Sequence, residues 1–112
     1  MFLFHISSEA AWRDAQEAGA YTADSLATEG FIHCSEQHQV VWVANQRFRG
    51  RQDLVLLRID PGRLDARVVH ENLEGGQQLF PHVYGPIPVD AVIEVVPFRP
   101  DADGKFDQLT DL

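Results

Sequence analysis

A chain of 112 residues with 45% hydrophobic composition suits one domain near the commonest domain size, with enough apolar material for a core. The formal net charge of −8 weighs against a protein that grips nucleic acid, because phosphate neutralisation needs lysine and arginine in excess, and it favours small solutes as partners. A single cysteine excludes an internal disulfide and a cysteine-rich zinc site, and no run of about 18 apolar residues is present to cross a membrane.

The opening "MFLFHISSEA" reaches a histidine and a glutamate too early for the apolar region of a secretory signal, so a soluble, cytoplasmic protein is expected. "FLFHIS" reads as a short buried strand, and Ser7 or Ser8 caps the helix that follows, in which Ala11, Trp12, Ala15 and Ala18 recur at helical spacing until Gly19. "AYTADSLATE" reads as a surface loop and "GFIHC" as a second strand. Ser35 is the expected cap of the next helix, "QVVWVANQRF", with Val40, Val41, Val43, Ala44 and Phe48 on its apolar face and Gly50 at its end. "DLVLLRID" at 53–60 is the clearest strand, closed by the turn pair Pro61 and Gly62, and "ARVVHE" at 66–71 is another. "NLEGGQQ" reads as a turn, "LFPHVYGPIP" as an irregular segment broken by three prolines, and "AVIEVVPF" at 91–98 as the last strand. The acidic end from about residue 100 is expected to be a loose tail in which Phe106 and Leu109 dock. Two helices in the N-terminal half and at least five strands make a single α+β domain over residues 1–112, with a curved sheet that is mostly antiparallel or mixed. Its expected core includes Trp12, Phe31, Val41, Leu54, Leu56 and Val95.

Five histidines stand at positions 5, 33, 38, 70 and 82, and four of them lie on or beside expected strands. His5 and His33 each end a strand just before a helix start, where free N–H groups and positive dipole ends favour anions. Three chemistries fit these residue types. His5, His33, His82 and Glu71 could supply metal ligands from separate strands, although no HxxxH or HExxH pair is present. Cys34 could act as a nucleophile beside His33, but neighbours on a strand face opposite ways, which favours a packing role for the thiol. The third chemistry is an anion-binding cleft in which His5, His33 and their serines hold a nucleotide or sugar phosphate. Arg47 or Arg49 and Tyr84 complete it.

The series "FHIS…W…EGFIHCS…VAN…DLVLLRID…FPHVYGPIP" resembles, over nearly the whole chain, the bacterial family catalogued as domain of unknown function 952. More distantly it is similar to the RNA 2′-phosphotransferase branch of the ADP-ribosyltransferase superfamily. There a "YHGT" strand end, an "HVHLS" strand, a helix with "RHG" and a "VLLxID" strand follow in the order of "FHIS", "FIHCS", "RFRG" and "LVLLRID" here. Ile6 stands where that superfamily has glycine. The resemblance implies an ADP-ribosyltransferase-like fold, with NAD as the candidate cofactor. His5 and Ser7 would contact the nicotinamide-side ribose or amide, His33 and Ser35 would form a second wall, and Arg47 or Arg49 would take the anion. Transfer or hydrolysis at a ribosyl or phosphate centre of a nucleotide-like ligand is then the expected activity. His5, His33 and Glu71 are its catalytic candidates, with Ser7, Ser35, Arg47, Arg49, His82 and Tyr84 binding the ligand. A non-catalytic small-molecule sensor using the same cleft is the alternative, and a metal-dependent site the third reading. Oligomeric state is not legible.

Overall fold

Strands that are apolar on both faces must be covered on both sides, and β1 (Leu3–Ser8) and β4 (Leu54–Ile59) are of this kind. The computed structural model describes residues 1–72 and 76–107. In it β4 lies between β1 and β8 (Val92–Phe98), antiparallel to both. One face of this sheet sends Leu3, Val55, Leu57 and Ile59 into a cluster with Ala15 of α1 (Glu9–Ala18), against which Trp12 packs. The other face sends Phe4, Ile6, Leu54, Leu56 and Phe98 against Val40 and Ala44 of α3 (Val40–Arg47). At about 25 cal/mol per Å² of apolar surface removed from water, these two clusters dominate the favourable side of folding.

The ends of α1 follow their sequence signals. The Ser8 hydroxyl accepts from the Ala11 N–H at 3.1 Å, and Gly19 closes the helix in the left-handed region at φ 90°. "AYTADSLATE", expected as a loop, instead holds β2 (Ala20–Tyr21) and α2 (Asp24–Glu29). Asp24 sits favourably in the first turn and Gly30 closes the last at φ 87°. No residue of α2 is fully buried, so it carries no strong apolar stripe to be read. The cap of the next helical segment is Glu36 rather than Ser35. Glu36 and Gln39 form a reciprocal capping box around a 3₁₀ turn (Gln37–Gln39) that leads into α3.

A second three-stranded sheet runs in the order β3 (Ile32–His33), β6 (Phe80–Val83), β5 (Val68–Glu71), and β2 pairs with β7 (Ile87–Pro88). Among the described residues the one curved sheet expected is therefore three antiparallel sheets. "LFPHVYGPIP" is not irregular at its start, since β6 is the central strand of its sheet. Pro81 is tolerated there because the ladder uses its carbonyl, which accepts from the Cys34 N–H at 3.0 Å. The two larger sheets are joined where Phe4 and Ser35 exchange both backbone hydrogen bonds, each 2.8 Å.

Phe31, Leu54 and Leu56 are buried, and Trp12 and Val41 pack partly buried against the clusters. Val95 is 36% exposed instead, because it lies on the edge strand β8 beyond full cover. Phe106 docks as expected. It is 3% exposed, its ring centroid is 4.7 Å from that of Phe98, and Asn45 clamps its backbone with two hydrogen bonds of 2.8 and 3.1 Å. Leu109 lies outside the described residues.

Candidate active site

Alternation along β3 separates two neighbours that sequence alone sets side by side. Ile32 and Cys34 turn into the core cluster, while Phe31 and His33 face the other way. That outer face also carries Phe80 and His82 of β6 and Glu71 of β5. His33 stands opposite His82 in the ladder, with ring centroids 5.2 Å apart, and Phe31 stacks on His82 at 4.0 Å and 17°. A carboxylate holds each imidazole. The His33 Nε2–H donates to Glu29 at 2.9 Å, and the His82 Nδ1–H donates to Glu71 Oε1 at 2.9 Å. The same Glu71 oxygen accepts from the Tyr84 hydroxyl. The Tyr84 contact first and the His82 contact second hold the Glu71 carboxyl below its usual range, and Glu71 in turn raises Tyr84. The His33 contact lowers Glu29 in the same way.

His82 is 2% exposed, and with Nδ1 engaged its Nε2 has no hydrogen-bond partner among the described residues. The residue borders a cleft of about 160 Å³ between this face, β1 and α3. Phe4, Ile6, Val43 and Phe48 make its apolar wall. His5, His33, Ser35, Arg47 and His82 make its polar side, and Cys34, Trp42 and Phe80 also line it.

A family model described as "Protein of unknown function (DUF952)" matches residues 6–95. The chain belongs to this family. It is similar to protein CC0527 from Caulobacter crescentus, whose X-ray crystal structure is 32% identical, with a TM-score of 0.85 over 96% of this chain and 94% of that one. The solution NMR structure of the same protein is 33% identical, with a TM-score of 0.81 over 95% and 91%. No curated protein matches.

In this DUF952 domain His5, His33 and His82 all line the cleft. His33 and His82 share one face of their sheet, and the His5 ring, on the Leu3 and Ser7 face of β1, lies 4.9 Å from that of Tyr21. The His5 Nδ1–H donates to the His33 carbonyl at 2.5 Å, and the Tyr21 hydroxyl donates to His5 Nε2 at 2.8 Å. Burial pushes the His5 pKa down to about 4, so the ring stays neutral. His5 therefore anchors the strand end that carries His33. Ser7 is buried, with its hydroxyl donating to the Ser8 carbonyl. Ser35 is 6% exposed and lines the cleft, as does Arg47, while exposed Arg49 does not. Tyr84 does not line it either, and reaches it through Glu71. Burial pushes the Cys34 thiol up to about 12, which suits packing and not nucleophilic attack. His5, His33, His82 and Glu71 do not assemble as a ligand set, and among the described residues no group of three or more His, Cys, Asp or Glu is placed to hold a metal ion.

Sequence reading missed Glu29, Trp42 and Phe80. Phe80 was findable, because it lies two residues before His82 and hence on the same strand face. Trp42 also had a signal, as the one large aromatic of α3 left off the helix's apolar face. Glu29 had none, since its approach to His33 depends on how α2 folds back.

Proposed function

We propose that the cleft binds a small, anionic, nucleotide-like ligand and that His82 acts as a general base at its ribosyl or phosphate centre, in a transfer or hydrolysis. The carrying observation is the Glu71–His82 pair. A carboxylate on Nδ1 selects the tautomer whose Nε2 lone pair is available to the cleft, and it stabilises the imidazolium formed when that nitrogen takes a proton. In this reading a water or an acceptor hydroxyl loses its proton to His82 as it attacks. His82 Nε2 then gives that proton to the leaving group as its bond breaks, while His33, Ser35 and Arg47 hold the anion. Glu71 then works through His82, not directly on a sugar cation.

The cleft of about 160 Å³ is small beside the roughly 300–1,000 Å³ of sites that enclose drug-sized ligands, and Ile6 lines it where the resembling superfamily has glycine, which favours a mononucleotide or sugar phosphate over NAD. A non-catalytic sensor is the second reading, favoured by the apolar wall and by Phe31 packed at 4.0 Å on His82, which restricts the ring.

Thermal-shift assays with AMP, ribose 5-phosphate, ADP-ribose and NAD test this, since a bound ligand raises apparent stability by mass action. Stabilisation by the phosphorylated probes, reduced in His82→Ala and Glu71→Gln, is expected. Binding with no turnover of any phosphorylated probe would select the sensor, and no shift with any of them would refute the reading.

A further inference from the structure

Two aromatic rings line the cleft and belong to neither core cluster. Trp42 is 50% exposed on α3, and its ring faces that of Phe80 at 6.2 Å between centroids and 25° between planes. A tryptophan left half in water forgoes the burial that makes it useful in a core, which points to contact with something else. Phe80 is fixed from behind. Gln39, 2% exposed, donates to the Leu79 carbonyl at 2.9 Å and to the Gln78 side chain at 3.2 Å, holding the segment that leads into β6.

The polar groups of the cleft say what reaches these rings. His33, Ser35, Arg47 and His82 line the same cleft as Trp42 and Phe80, so a ligand whose anion meets the former can lay the group attached to it against the latter. The 6.2 Å between centroids is the spacing of a direct aromatic pair, so an added ring stacks on the half-exposed indole and not between the two.

We infer that Trp42 and Phe80 form a base subsite, and that the ligand is a purine mononucleotide whose fused ring stacks on the indole while its phosphate enters the cleft. This rests on the reading of the cleft as a nucleotide-like site. A fused two-ring base matches an indole in extent, and stacking on an aromatic face asks for no particular hydrogen-bond pattern.

The chain has two tryptophans, so Trp12→Phe leaves Trp42 as the sole tryptophan, read by red-edge excitation that spares the two tyrosines. AMP and adenosine are expected to quench it, whereas ribose 5-phosphate raises the melting temperature without quenching. In the otherwise wild-type chain, Trp42→Ala is expected to weaken AMP about ten-fold or more, the scale of base–aromatic stacking, and to leave ribose 5-phosphate unchanged. Trp42→Phe should retain most of the AMP affinity. Equal losses for AMP and ribose 5-phosphate in Trp42→Ala, or AMP binding without quenching, would overturn the base subsite. If adenosine quenches while neither phosphate ester binds better than adenosine, the base subsite stands and the anion reading of the cleft falls. If no probe binds, both fall.

Discussion

Burying a neutral imidazole makes this fold sensitive to acid in a way that one substitution isolates. His5 has an ordinary value of 6.5 and a folded value of about 4. Between those two the unfolded chain binds a proton that the folded chain refuses, so stability falls as the pH drops through this window and is fully present above it. The whole contribution is roughly 3 kcal/mol, at 1.36 kcal/mol for each pKa unit, and about 2 kcal/mol of it is lost between pH 7 and pH 5. His5→Gln keeps an amide donor for the His33 carbonyl and an acceptor for Tyr21, but cannot titrate. Urea unfolding of both chains at the two pH values gives the difference of differences, from which the carboxylates they share cancel. The stability advantage of the wild type over His5→Gln is expected to shrink by about 2 kcal/mol on going to pH 5. A constant gap would refute the buried neutral assignment, and a gap that widens in acid would invert it.

Leu56, 1% exposed at the centre of the main sheet, is expected to cost about 2–5 kcal/mol when cut to alanine, read by denaturant unfolding. Cys34→Ala should leave ligand-induced thermal shifts intact, and in the wild type the thiol should react with a disulfide reagent only as fast as the protein unfolds, since burial holds its pKa near 12. Tyr84→Phe removes the foremost contact that depresses Glu71. The Glu71 carboxyl titration followed by NMR should therefore move up, with stability lowered at neutral pH and unchanged in strong acid, where the carboxyl is protonated in either chain. Asn45→Ala should free the segment around Phe106 at a cost of about 1–3 kcal/mol, seen as faster amide exchange there.

Local signals were legible where one element decides its own fate. Ser8 and Gly19 bracket α1, the apolar run of 54–59 makes the central strand, and alternation assigns Phe31 and His33 to one face and Cys34 to the other. The α+β class followed from these. What escaped depends on partners distant in sequence. Pro81 reads as a strand breaker until Cys34 is found supplying the only donor its position needs. α2 has too little buried surface to announce itself. The site was half legible for the same reason. His33, Ser35, Arg47 and His82 were named from strand ends and motifs and do meet at the cleft. His5 lines the cleft too, although its strand belongs to the other sheet and its two ring nitrogens are taken by the His33 carbonyl and the Tyr21 hydroxyl. Glu71 was named from its strand, and its hydrogen bonds with His82 and Tyr84 were not legible because they depend on how β5 and β6 pair.

The joint between Phe4 and Ser35 links the two larger sheets through a single residue pair, and both residues also border the cleft. The His5–His33 hydrogen bond lies beside it, so the backbone that positions the cleft's serine and histidine is tied to the central strand pair at one spot. The amide hydrogens of Phe4 and Ser35 are therefore gauges of occupancy, and their exchange with solvent is expected to slow when a ligand bridges the two sheets.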